Sequence, residues 1–435
     1  MSSRWVPAPP LVVQPGGFPD PPPRGRVKVL HVITRLEAGA GGNTLLSAIG
    51  MDSSRYETWV AGGDGGPLWE QARRAGVRTV RIPGLVRDVN PVADLRVLRE
   101  LVSLIRRERF AVVHVHSAKT GALGRLSGWL SRTPVLVYTI HGRDPWWPAA
   151  PGAGPDLGEL VPHGRRGFLL IERALRPVTH AFVAVSPTVA RDAILAGVAS
   201  PGRTSVAPSA VDVGAIPPGR DPTARADLGL PPDVQVVGTV GRLDAQKAPL
   251  DFVRMAAQVT AVRPGVRFVH IGDGELADEV AREARVLGVP LQLAGFRLDA
   301  ARLASAFDVY VVTSLYEGVG RSVTEAMASG RPVVATAVDG VVDLVEPGST
   351  GLLAAPRDVA ALAKATLWML EHPVEAARMG EQARDRVRAL FTTEVMCAAL
   401  DELYCGLLGM DQPTASRPGA DRRRKEIAGT RRRAS

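Results

Sequence analysis

The stretch Ser314-Leu-Tyr-Glu-Gly-Val-Gly-Arg-Ser-Val-Thr-Glu-Ala-Met-Ala-Ser-Gly330 concentrates residues with the most to offer chemically. Gly318 and Gly320 let the backbone come close to a ligand. The amides of Val319, Gly320, Arg321 and Ser322 fall where a strand gives way to a helix. A helix N-terminus attracts anions through its free N–H groups and its dipole. Glu317 sits on the loop and Glu325 about one turn into the helix, so both can face one pocket. A phosphate would repel them, whereas a sugar hydroxyl can donate to a carboxylate. Taken alone, Glu325 also reads as an ordinary helix-surface acid. A second segment, Val240-Gly-Arg-Leu-Asp-Ala-Gln-Lys-Ala248, likewise joins a strand to a helix. Arg242 and Lys247 would set two cations at the strand's carboxyl end. Facing a helix N-terminus they form a diphosphate site, the Arg as a planar fork and the Lys as a point charge. Alone, the pair reads as solvated surface.

The first half of the chain carries its own candidates. Arg35-Leu-Glu-Ala-Gly-Ala-Gly-Gly-Asn43 follows a strand, with Gly41 and Gly42 at its end. It lacks the dinucleotide-binding spacing, does not open cleanly into a helix, and no acid ends a following strand at the expected place. His114 and His116 share one face of a strand. That spacing admits a metal, but no third ligand is evident, so no metal site is assigned. His141 closes the next strand, where it either touches a ligand or is a satisfied structural histidine. The long loop Arg143–Gly167 holds Trp146 and Trp147, which suit stacking on a sugar, dipping into a membrane surface, or packing against the first domain.

Positioning such loops requires alternating strands and helices. Apolar, β-branched runs recur at Val27–Thr34, Thr58–Ala61, Val77–Ile82, Val112–His116, Val135–His141, Ala181–Ser186 and Thr204–Ala207. A second series follows at Val234–Val240, Val266–Ile271, Leu291–Ala294, Val309–Thr313, Pro332–Thr336 and Gly351–Leu353. Continuous apolar runs of this kind are buried parallel strands. Helical patterns intervene, among them Asp94–Arg109, Thr120–Leu130, Pro249–Val262, Leu276–Leu287, Ala301–Ala306, Ser322–Ser329 and Val359–Glu371. The alternation predicts two α/β domains, 26–207 and 234–392, joined by a Pro-rich linker, 208–233. A last amphipathic helix spans Thr393–Leu408, within a C-terminal segment 393–410. Tandem doubly wound domains bind ligands in the cleft between the carboxyl ends of their strands.

Composition sets the bounds. The chain has 435 residues, 46% hydrophobic and 22% charged, enough to bury large cores and therefore not globally disordered. No apolar run reaches the ~18 residues of a membrane span. Two cysteines, Cys397 and Cys405, stand eight apart in one predicted helix, too far for a disulfide. The cytoplasm is the simplest compartment. Residues 1–25 read as a disordered Pro-rich segment with no signal peptide. The net charge of +9 comes mostly from the predicted disordered tail, 411–435, where Arg417, Arg422, Arg423, Arg424, Lys425, Arg431, Arg432 and Arg433 outnumber Asp411, Asp421 and Glu426. This argues against specific nucleic-acid binding by the folded body. The tail reads either as solubilising disorder or as an attachment to anionic lipid, peripheral on the inner face of the membrane.

Taken together, the segments over roughly residues 27–408 resemble the family 4 glycosyltransferases of the GT-B fold. The Glu-x7-Glu arrangement, Glu317 and Glu325, and the Gly-Arg…Lys segment carry the resemblance. It extends to Gly272-Asp-Gly-Glu275, Ala306–Ser314, Val185–Asp192 and Val338–Leu353. In the last of these, Asp339-Gly340 and Asp343 replace the family's Gly-Gly and Glu. At Pro208-Ser-Ala-Val-Asp212, Ala210 replaces a Gly. The resemblance implies a GT-B fold of two Rossmann-like domains, with a C-terminal helix returning to the N-terminal domain. It implies a catalytic set of His141, Arg242, Lys247 and Glu317. Donor contacts fall to Gly41, Gly42, Arg242, Lys247, Gly318, Val319, Gly320, Arg321, Ser322 and Glu325. His116, Lys119, Trp146 and Trp147 fall on the acceptor side. The implied reaction moves a sugar, with retention, from a nucleoside diphosphate sugar to a hydroxyl of a sugar, lipid or small molecule. The donor is a substrate and no cofactor is expected. No two Asp residues stand two apart, so the metal-holding Asp-x-Asp motif of other sugar transferases is missing, and metal independence is expected. A nucleotide-sugar epimerase and a non-catalytic nucleotide-sugar-binding protein are the competing readings.

Overall fold

The computed structural model describes residues 25–37, 39–142 and 165–411. Most of the Pro-rich N-terminus, the loop bearing Trp146 and Trp147, and the basic tail from 412 onward lie outside these residues.

Two wholly parallel sheets account for the thirteen strands among the described residues. The first contains β1 (Val27–Ile33), β2 (Tyr56–Gly62), β3 (Arg78–Arg81), β4 (Val112–His116), β5 (Val135–Ile140), β6 (Ala181–Ala184) and β7 (Thr204–Val206), in the order β3-β2-β1-β4-β5-β6-β7. The second contains β8 (Val236–Val240), β9 (Arg267–Ile271), β10 (Leu291–Leu293), β11 (Val309–Val312), β12 (Val333–Thr336) and β13 (Leu352–Ala354), in the order β10-β9-β8-β11-β12-β13. The central strands lie on apolar runs of the sequence, because helices cover both faces and leave no polar side to alternate, whereas the edge strand β3 exposes Arg78 and Arg81. The strand order reverses between β1 and β4 and again between β8 and β11. At those points neighbouring loops diverge and leave a crevice.

Local structure departs from expectation in three places. The Gly-rich turn does open into a helix, α1 (Ala40–Gly50), with Gly41 and Gly42 in its first turn. Gly39, at φ 73°, turns the chain, and its carbonyl accepts from Asn43 N at 3.0 Å. A Cβ on Gly41 would lie 2.8 Å from the Arg35 carbonyl oxygen, so this helix starts tight against the loop preceding it. The predicted helix Ala301–Ala306 divides into an α-turn, Ala300–Leu303, and a 3₁₀ turn, Ala304–Ala306. The helix Pro373–Leu390, not anticipated, leads into the final helix.

That final helix, α15 when helices are numbered through the chain (Thr393–Leu408), returns to the first sheet. The Thr392 side chain accepts from Val395 N at 3.4 Å to cap it. Met396, Leu400, Leu403, Tyr404 and Leu407 pack with Val27, Val29, Val112, Val135 and Val137 in one buried cluster. Arg55 donates to Asp401 at 2.7 Å, and the Tyr56 hydroxyl donates to the same carboxylate at 2.6 Å. Tyr404 is fully buried, its hydroxyl 2.5 Å from His114 Nδ1. Tyr404→Ala is expected to destabilise the protein by about 3–5 kcal/mol, the cost of emptying an aromatic site in a packed core. Tyr404→Phe is expected to lose about 1–3 kcal/mol, by leaving a buried histidine nitrogen unpaired. Urea unfolding midpoints of the two variants check this ordering.

Candidate active site

Because β8 and β11 are adjacent, the loops at their carboxyl ends lie side by side. The first runs from Gly241 to Ala248 and leads into α8 (Pro249–Val262). The second runs from Thr313 to Gly320 and leads into α11 (Arg321–Ala328). They are stitched together. Leu315 N donates to the Gln246 carbonyl at 2.8 Å, Gln246 Nε2 to the Tyr316 carbonyl at 3.0 Å, and Thr313 Oγ1 to the Lys247 carbonyl at 2.9 Å. Lys247 Nζ forms an ion pair with Glu317 Oε1. The same carboxylate accepts from Ser314 Oγ at 2.8 Å, while Glu317 N donates to Asp339 Oδ2 at 2.8 Å. Glu317 is buried. Arg242 is exposed and held by Asp244, at 2.5 Å, and Gln246, at 2.8 Å.

Gly320 caps α11 at φ 85° and accepts from Thr324 N at 3.0 Å. Glu325 lies one turn along and pairs with Arg321 Nε at 2.9 Å. Arg321 also reaches across to the first lobe: a Cβ on Gly42 would lie 2.0 Å from its Nη1, which is buried without a hydrogen-bond partner. A small recess beneath both loops is lined by Gly241, Lys247, His270, Thr313, Ser314 and Ser322. His270 Nδ1 is buried there without a partner, and burial lowers that imidazole's pKa to about 4.

The two lobes meet backbone to backbone beside this site. A Cβ on Gly318 would sit 1.8 Å from the His141 carbonyl oxygen, and one on Gly142 would sit 2.9 Å from the Gly318 Cα. Asp343 accepts from Thr188 N at 2.9 Å and from Thr188 Oγ1 at 3.1 Å, joining the second lobe to the first turn of the helix Pro187–Leu195.

His141 follows β5 and is half-buried. Its Nε2 lies 2.9 Å from His116 Nδ1, and His116 Nε2 lies 3.0 Å from His31 Nδ1. Burial lowers the pKa of His31 to about 3 and that of His141 to about 4, and holds His114 and His116 well below the usual imidazole range. Among the described residues, His31, His114 and His116 bring ligand atoms within 4.8 Å of one another, so the third ligand thought absent does exist, supplied by β1. Both His114 nitrogens are nevertheless occupied, by Tyr404 and by Thr139 at 2.5 Å, and both His116 nitrogens by other imidazoles. Of the six ring nitrogens in this trio, His31 Nε2 alone has no partner among the described residues.

Of the residues singled out from sequence, Gly42, His141, Lys247, Glu317, Gly318, Gly320, Arg321 and Glu325 border this one region, and Arg242 stands at its rim. Val319 is buried in the core. Lys119 points elsewhere: its Nζ pairs with Asp94 at 2.6 Å and donates to the Asp88 carbonyl at 2.5 Å. His116, expected on the acceptor side, lies buried beneath His141. Trp146 and Trp147 fall outside the described residues. Sequence reasoning missed His31, His270 and the Asp339 contact to Glu317. Asp339 did stand out as a departure from the family pattern, and its φ of 37° marks it in structure.

Comparison with known proteins agrees with this architecture. Residues 48–214 match the family described as Glycosyltransferase Family 4, and residues 234–372 match Glycosyl transferases group 1. The chain is 26% identical over 391 residues to the Escherichia coli UDP-Gal:alpha-D-GlcNAc-diphosphoundecaprenol alpha-1,3-galactosyltransferase, covering 88% of this chain and 98% of that one. It is 37% identical over 309 residues to a D-inositol 3-phosphate glycosyltransferase of Mycolicibacterium paratuberculosis, covering 67% of this chain and 66% of the relative. Among solved structures, Anabaena Alr3699/HepE in complex with UDP and glucose superposes with a TM-score of 0.74 at 21% identity, over 88% of this chain and all of that one. The sucrose-phosphate synthase of Thermosynechococcus elongatus gives 0.71 at 22% identity, over 88% and 100% of the two chains. With two doubly wound lobes closing on a shared cleft and both halves matched, the chain belongs to the family 4, group 1 glycosyltransferases and has the GT-B fold.

Proposed function

We propose that this protein transfers a glycosyl group from a UDP-sugar to a hydroxyl of a lipid-linked acceptor, with retention and without a metal. The observation that carries the reading is the convergence of Lys247, Glu317, the α11 N-terminus and Glu325 on one crevice faced by His141. The leaving group in such a transfer is a diphosphate whose negative charge grows in the transition state. Lys247, Arg242 and the amides of residues 319–322 supply preorganised positive charge for it. Glu325 accepts from the ribose hydroxyls once Arg321 releases it, and Glu317, steadied by Lys247 and Ser314, faces the sugar. Family membership supports the retaining reading, and the cations the chain itself provides support the metal-independent one.

The lipid-linked acceptor is supported by the E. coli relative, named for an undecaprenol-linked substrate and matched over nearly its whole length. Among the described residues no helix is long and apolar enough to cross a membrane. The basic residues 417–433 would hold the enzyme to anionic lipid at the inner membrane face, each adding ~1 kcal/mol near the surface.

The test is UDP release from a panel of UDP-sugars with and without undecaprenyl-diphosphate glycosides. Acceptor-dependent release supports the reading, conversion of donor without acceptor would indicate an epimerase, and no release with any pair overturns the transfer. In calorimetric titrations, Glu325→Ala is expected to weaken UDP binding about tenfold or more, the scale of lost charge-assisted hydrogen bonds. Unchanged affinity would reject the ribose role.

A further inference from the structure

Three imidazoles run in single file from the interior of the first sheet to the cleft. His31 on β1 is the register partner of His114 on β4, and His116 is the register partner of Thr139 on β5. In-register parallel neighbours share a face, so His31, His114, His116 and Thr139 project to the same side of the sheet, and α15 packs on that side through Tyr404, which meets His114. His31 Nδ1 meets His116 Nε2 at 3.0 Å, and His116 Nδ1 meets His141 Nε2 at 2.9 Å. His114 stacks on His116 with ring centroids 4.5 Å apart, and is itself fixed by Tyr404 and Thr139. His116 therefore has little room to turn.

Desolvation keeps all three members of the file neutral near pH 7, so each ring carries one N–H and one lone pair. Two head-to-tail arrangements satisfy both contacts. If the N–H groups point inward, the file ends in His31 Nε2–H, a buried donor with nothing to accept it, since that nitrogen has no partner. If they point outward, the same atom is a bare lone pair and His141 presents Nδ1–H. Orphaned buried N–H groups are rarer in folded proteins than under-satisfied acceptors. The His141 Nδ1 makes no hydrogen bond among the described residues and is the file's only outlet to the cleft.

We propose that His31 and His116 are positioning residues that hold His141 in the Nδ1–H form, as a neutral hydrogen-bond donor offered to an oxygen of the sugar being transferred. The assignment rests on the reading of this cleft as a donor-sugar site. It gives the sugar-facing histidine a fixed polarity: it donates to a hydroxyl or ring oxygen and does not take a proton from the acceptor. The file carries no net charge and transfers no proton in the resting enzyme.

The experiment uses the full chain, labelled with 15N-histidine. Two-bond proton–nitrogen correlation spectra are expected to show Nδ1–H tautomers for His31, His116 and His141. His116→Leu removes the partner of His141 Nε2. It should convert His141 to a mixture of tautomers and lower kcat/KM for the UDP-sugar about tenfold, the worth of one hydrogen bond, with affinity for UDP itself unchanged. His116→Gln, whose amide can donate to His141 Nε2, should recover most of the loss; a purely structural role would not give that split. An Nε2–H form of His141 in the unsubstituted protein overturns the proposal even if His116→Leu fails to fold. So does stoichiometric zinc in the purified protein, which would make His31, His114 and His116 a metal site. Should the enzyme turn over no UDP-sugar while the tautomers are as described, the functional reading falls and the polarity of the file stands.

Discussion

Lys247→Ala is expected to lower kcat/KM by about 10²-fold or more, the scale on which a preorganised charge-stabilising group acts. Two effects combine. The developing charge on the leaving diphosphate loses a fixed cation at the strand end. Glu317, buried and otherwise supported by Ser314 and by Asp339 through its amide, is left without its ion-pair partner. A carboxylate stripped of its cation in such a site repels phosphate and costs stability as well. Arg at this position does not restore the arrangement, because a planar fork cannot replace a point charge between the two loops. Steady-state UDP release measures the effect, and a variant within threefold of the unsubstituted enzyme would remove Lys247 from the mechanism.

Gly318→Ala should cost a similar factor by a different route. No left-handed backbone is required at Gly318; the constraint is space. An added methyl would stand 1.8 Å from the His141 carbonyl oxygen and 3.5 Å from the Gly142 Cα. Backbone at a strand terminus cannot give way as a side chain would, so the lobes must part locally by about 1 Å. Misplacement of that size costs roughly 10²-fold when reacting groups come from two bodies. Nucleotide contacts lie chiefly on the second lobe, so UDP affinity by calorimetry should stay within a few-fold while transfer falls. Loss of both together would show that closure is needed for nucleotide binding itself.

These two residues were legible to different degrees. Lys247 stood out because its segment joins a strand to a helix in a family pattern, and the structure puts it against Glu317. Gly318 was legible as a close-approach glycine, but what approaches it is the first lobe's backbone, not a ligand seen from sequence. Lys119 illustrates the opposite error. A cation after a strand looks available, yet Asp94, from the preceding helix, draws it away. Nothing within a few residues of Lys119 announces that partner. The Gly-rich turn lacks the dinucleotide-binding spacing, yet Gly39 alone is enough to start the helix.

By itself the sequence determined the alternation of strands and helices, the two α/β lobes and the loops that carry the charged groups. Those features follow from local periodicity and from the burial of parallel strands on both faces. Only the tertiary structure decided which distant groups meet. His31 lies 85 residues from His116 yet shares its hydrogen bond, because the β1–β4 register brings them to one face. Asp343 reaches Thr188, and Tyr404 reaches His114, for the same kind of reason. Strand register, lobe closure and helix docking are set by the whole packed molecule, so no window of the chain contains them.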